Sequence, residues 1–192
     1  MVVEVCATNF QSALNAQDAG ADRIELCSEL AVGGITPNYG LLKKVTSELN
    51  IPVHVLIRPR SGDFTYSDSD FEVMKQNIAL CKRLKCSGIV SGVLHKDMRV
   101  DIPRTTELID LASPLTFTFH RAFDWTPDPI ATAKKLAEIG VARILTSGQA
   151  TSAVEGLPML TQLKDTFTGT ILAAGGINLD SVAQFKAHAF EE

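Results

Sequence analysis

VHVLIRPRSGDFTYSDSDFEVMKQNIALCKRLKCSGIVSGVL, residues 53–94, decides the fold. It opens on a β-branched run, VHVLI (53–57), and closes on another, GIVSGVL (88–94). Between them Ser67, Asp68 and Ser69 offer helix caps, and Phe71, Met74, Ile78 and Cys81 fall at helical spacing. A strand, a loop, a helix and a second strand in this order form a right-handed crossover between parallel strands.

The same unit recurs in both directions. Upstream stand VVEVC (2–6) and RIELC (23–27); downstream stand LTFTFH (115–120), ARILTS (142–147) and TILAAG (170–175). Asn9, Pro37, Pro103, Pro129 and Asn178 mark helix starts in the gaps, and Leu157, Leu160 and Leu163 mark another helix. Two architectures fit the alternation, a closed eight-stranded β/α barrel and an open doubly wound sheet. Several strands alternate polar with apolar residues, and no GxGxxG follows the first strand, so the barrel is preferred. A barrel needs eight strands in about 250 residues, and seven are visible in 192. The expectation is one domain over 1–192, lacking its eighth strand. A tail outside the sequence, a neighbouring chain or a loop would then cover the gap.

Composition narrows the function. Hydrophobic residues are 45% of the chain, charged residues 21%, and the formal net charge is −4. No basic cluster suits nucleic acid, no apolar run is long enough for a bilayer, and the N-terminus lacks signal-peptide features. A cytoplasmic setting is expected. The four cysteines then read as free thiols, packed, reactive or metal-binding.

Barrel chemistry sits where strands end. Glu4 and Cys6 share one face of the first strand, and Glu25 and Cys27 one face of the second. Adjacent strands lie about 4.8 Å apart, so two thiols and two carboxylates converge if both faces point inward. Such thiols either hold a soft cation such as Cu(I) or simply fill space. Cys81 and Cys86 fall at the opposite end and read as packing. After the third strand, Arg58 and Arg60 suit a carboxylate or phosphate, or else lock the loop with Asp63. His120, at the end of the fifth strand, is a proton carrier if Asp124 or Glu25 orients it. Ser147 and Gly148 after the sixth strand, and Gly175 and Gly176 after the seventh, let backbone N–H groups approach an anion.

VEVC, ADRIELC, GGITP, IPVHVLIRPRSGDFTYSD, FHRAFD, ARILTSGQ and AAGGI, in this order, resemble the CutC copper homeostasis family across essentially the whole chain. The resemblance implies a cytoplasmic TIM barrel that tends to form homo-oligomers, with copper as partner and no settled reaction. It places Cys6 and Cys27 where the family has cysteines proposed to bind Cu(I). Arg58, Arg60, Asp63, His120, Arg121 and Asp124 match its other polar motifs. Ser61 and Ala174 stand where the family more often has glycine. The alternative is an enzyme for a small anionic metabolite, with Arg58, Arg60, His120, Glu25 and Asp124 at the mouth.

Overall fold

The computed structural model describes all 192 residues. Seven strands form one sheet whose order follows the chain. They are β1 (Glu4–Ala7), β2 (Arg23–Leu26), β3 (Val53–Leu56), β4 (Gly88–Ser91), β5 (Thr116–Phe119), β6 (Arg143–Thr146) and β7 (Thr170–Ala173). Six of the seven runs read from the sequence contain a whole strand, and β1 overlaps the first run, VVEVC (2–6), and ends one residue past it. The helices between them are α1 (Phe10–Asp18), α2 (Tyr39–Glu48), α3 (Asp68–Arg83), α4 (Ile102–Ala112), α5 (Pro129–Glu138), α6 (Leu157–Thr166) and α7 (Val182–Ala187).

Local chemistry sets the helix starts. Asn9 accepts from the Ser12 N–H while Ser12 accepts from the Asn9 N–H, a reciprocal cap. Ser67 and Asp70 repeat it at α3, whose buried face is Phe71, Met74, Ile78 and Cys81, the residues expected from spacing. Two starts differ from expectation. Asn38, rather than Pro37, caps α2, because its side-chain oxygen Oδ1 accepts from the Leu41 N–H. Asn178 does not cap α7. Its side chain closes a preceding turn on the Asp180 and Ser181 N–H groups, and the helix begins at Val182.

The chain divides into two compact units, one of Val2–Ser91 with Glu107–Phe117, the other of Gly92–Thr106 with Thr118–Glu192 and Met1. In the first, the parallel register sets Glu4 beside Arg23, Cys6 beside Glu25, Glu25 beside His54, and His54 beside Gly88. Gly88 is required there, since a Cβ would lie 2.7 Å from the His54 ring. One layer further along the strands, Cys27, Leu56 and Val90 form a buried apolar cluster. In the second unit Thr146 pairs with Ala173 across β6 and β7, and Phe119 and Phe123 are fully buried. No helix is long and apolar enough to cross a membrane.

Candidate functional site

In the first unit, strand pairing stacks polar side chains in a short column. Deepest is Glu4, which accepts from Arg23 Nε and lies 3.7 Å from His54 Nδ1. Above it Glu25, only 7% exposed, accepts a hydrogen bond of 3.4 Å from the Cys6 thiol. Burial, and then the neighbouring Glu4 carboxylate, push Glu25 up to about 7, while the Cys6 hydrogen bond pulls the other way. The next step up is Cys27, buried against Leu56 and Val90. Gly34 folds over it with φ +84°, close enough that a Cβ there would strike Leu56.

Both thiols are held neutral at ordinary pH. Surrounding protein atoms and then the Glu25 carboxylate raise Cys6 well above the usual thiol range, although its residue lies exposed on the sheet-edge strand. Burial, then Glu25, pushes Cys27 up to about 11. All four cysteines are free thiols, as the sequence suggests. No group of three or more His, Cys, Asp or Glu side chains is arranged to hold a metal.

Arg58 is where strand parity puts it, but both of its terminal nitrogens are engaged within the protein. Nη1 donates to the carbonyls of Val32 (2.9 Å) and Gly34 (2.8 Å), Nη2 to that of Gly62 (2.6 Å), and the guanidinium stacks over Phe64. The side chain is 5% exposed. It therefore ties the loop after β2 to the loop after β3. Arg58→Ala should lower unfolding free energy by about 3 kcal/mol, because three carbonyls lose a buried charged donor. Arg58→Lys should recover little, since one ammonium cannot span three carbonyls in that fork geometry. Urea denaturation of both variants checks this. Arg60 is likewise engaged with Asp63 (3.0 Å), Asp70 (3.4 Å) and the Thr65 carbonyl (2.6 Å), the loop lock that the sequence offered as one of two readings.

The second unit holds the other predicted residues. His120 is 5% exposed and caps the 3-10 turn Arg121–Trp125, its Nδ1 accepting from the Ala122 N–H at 3.3 Å. Gly92 makes room for its ring, for a Cβ there would lie 2.8 Å from Nδ1. Asp124 does not orient His120. Its carboxylate accepts from Arg121 Nε (2.8 Å), the Thr146 hydroxyl, the Ser147 N–H (3.2 Å), the Ser147 hydroxyl (3.1 Å) and the Gln149 N–H (3.2 Å). The Gly148 N–H goes to Thr146 Oγ1 at 2.9 Å. The backbone N–H groups expected to receive an external anion at Ser147 and Gly148 are thus occupied from within. Gly175 (φ +109°) and Gly176 (φ +72°) turn the chain after β7, and Gly175 lies against Ser147 and Arg121. A separate cavity of about 510 Å3, bordered by His95, Arg99, Asp128 and Lys135, includes none of the predicted residues.

Sequence reading missed the roles of Arg23, His54 and Gly88, and of the pair Thr146 and Gln149. Arg23 and His54 had a usable signal, because each lies on the same strand face as Glu25 or one register step from it. Thr146 and Gln149 had none, because their role depends on where Asp124 arrives.

The family profile described as the CutC family matches residues 1–190. The chain belongs to the CutC family. A Proteus mirabilis (strain HI4320) protein named as family protein CutC is 44% identical over 191 residues, covering 99% of this chain and 76% of that protein. One from Edwardsiella ictaluri (strain 93-146) is 45% identical over 193 residues, covering 100% of this chain and 77% of its own. Among solved structures, CutC from Streptococcus agalactiae, a protein named for copper homeostasis, superposes with a TM-score of 0.92 at 30% identity, over 98% of this chain and 94% of that one. A phosphoenolpyruvate phosphomutase from Streptomyces platensis subsp. rosaceus shares the fold alone, at 13% identity and a TM-score of 0.68 over 100% of this chain and 75% of that one. The fold of this CutC-family chain is an α/β TIM-barrel type with seven parallel strands, as the sequence led us to expect.

Proposed function

We propose that this CutC-family protein handles copper by holding one Cu(I) ion, as cargo, between the thiols of Cys6 and Cys27. The observation that supports it is the Cys6–Glu25 hydrogen bond with Cys27 one step above on the same strand face. Thiolate sulfur is the ligand type that selects Cu(I) over harder cations. Glu25, pushed up to about 7, is placed to accept the proton that Cys6 loses. A reducing cytoplasm, where four free cysteines stay reduced, is the compartment that suits this chemistry. The enzyme reading has less behind it. The terminal nitrogens of Arg58 and Arg60 are engaged within their loops, Asp124 is bound to the loop after β6, and His120 caps a turn.

Anaerobic Cu(I) titration of the reduced protein against a competing chelator tests the proposal. One equivalent should bind, and Cys6→Ser with Cys27→Ser should weaken binding by at least about 100-fold. Because both thiols are raised, binding must displace protons. The apparent affinity should therefore climb by roughly ten- to a hundredfold per pH unit around neutrality. Equal competition by the double variant would overturn the assignment.

A further inference from the structure

Cys81 and Cys86 are not used by the copper reading, and the sequence alone marks them only as packing. The structure shows why they meet. Helix α3 ends in a paired C-terminal motif: the Cys86 N–H donates to the Cys81 carbonyl at 3.0 Å, and the Lys85 N–H to the Lys82 carbonyl at 3.1 Å. Lys85 takes the left-handed conformation (φ 59°) that reverses the chain. In this motif the side chains three residues before the cap and two beyond it touch, usually as an apolar contact. Here both are cysteines, so the motif sets one thiol against the other. Cys81 is fully buried and Cys86 is 4% exposed.

We propose that Cys81 and Cys86 are a redox-active dithiol, closed to an intramolecular disulfide by small disulfides such as oxidised glutathione. Burial favours this product over a metal thiolate, since the disulfide is neutral and no charge is left in an apolar setting. Cys86 is the attacking group. It lies between exposed Lys85 and Ser87, with Lys82 and Arg83 close in sequence. Its thiol is lowered by the hydrogen bond from Cys81, whereas Cys81 sits under the negative end of α3. The Cys86 thiolate attacks one glutathione sulfur, forming a mixed disulfide and expelling a glutathione thiolate. The Cys81 sulfur, as it loses its proton, then attacks Cys86 and expels the second glutathione. The protein loses two protons and two electrons, and one oxidised glutathione takes them up to become two reduced ones. The bond would tie the end of α3 to the start of β4, two residues before the Gly88 that seats His54.

The test begins with the wild-type protein. Reduced protein is equilibrated with oxidised glutathione under anaerobic conditions, quenched with acid, alkylated with a maleimide after unfolding and digested with trypsin. Cleavage after Lys82, Arg83 and Lys85 separates the two cysteines, so the disulfide appears as peptide 76–82 joined to peptide 86–96. That species should form, fall apart on reduction, and form equally in the Cys6→Ser, Cys27→Ser double variant, which keeps it independent of the copper reading. In Cys81→Ala, Cys86 should instead retain a glutathione mixed disulfide. Recovery of Cys81 and Cys86 as maleimide adducts, as separate glutathione adducts, or joined to Cys6 or Cys27 would overturn the proposal.

Discussion

Asp124→Ala should lower the unfolding free energy by about 4 kcal/mol, which in a chain of this size lowers the melting temperature by about 10 °C. The carboxylate gathers five donors, from Arg121, Thr146, the Ser147 backbone and hydroxyl, and the Gln149 backbone. Hydrogen bonds to a charged acceptor are worth about 1.5–3 kcal/mol singly, and they do not add in one network. Asp124→Asn should lose nearly as much, because its amide would turn two donors toward donors already there. The variant also asks what this loop binds. With Asp124 in place, the anion held by the loop after β6 is a side chain from the turn after β5. In Asp124→Ala those N–H groups and Arg121 face an empty polar site, so added phosphate or formate should restore part of the lost stability. The same additions should leave the wild type unmoved. Equal stabilisation of both would mean that a further anion site exists beside Asp124.

How far the sequence reached follows from the range over which each feature is decided. Strands and helices were legible because their signals lie within a few residues: the capping pair Ser67 and Asp70, or the α3 stripe of Phe71, Met74, Ile78 and Cys81. Strand parity then placed Cys6, Glu25 and Cys27 together, because in a parallel sheet register follows once two neighbouring strands are recognised. The side-chain partners were not legible in that way. Arg58 looks free to bind an anion in a list of residues, and three backbone carbonyls take it in the fold. Asp124 is four residues from His120 and bonds instead to residues 22–25 positions further on. The Cys81–Cys86 contact depends on one left-handed residue, Lys85, which carries no glycine signature.

Glu25→Gln should make the protein more stable at pH 8, by about 3 kcal/mol, and the gain should fade as the pH is lowered. Glu25 titrates at about 7 in the fold against an ordinary 4.5. Between those values the native state holds a proton that the unfolded chain has released, so rising pH in that window draws the wild type toward unfolding. Below about 4.5 both states are protonated and the penalty vanishes; above about 7 it is felt in full. Glutamine mimics the protonated side chain and still offers an oxygen to the Cys6 thiol. The difference between variant and wild type, from urea denaturation at several pH values, should therefore fall below about 1 kcal/mol by pH 5. A difference that does not change with pH would rule out a raised Glu25. Removing the charge also removes one cause of the high Cys6 pKa, so maleimide should modify Cys6 several-fold faster in the variant at pH 8. A buried carboxylate that costs stability at neutral pH is hard to explain as packing, since glutamine would fill the same volume. Its position against one thiol of the pair is what links that cost to proton exchange at the proposed copper site.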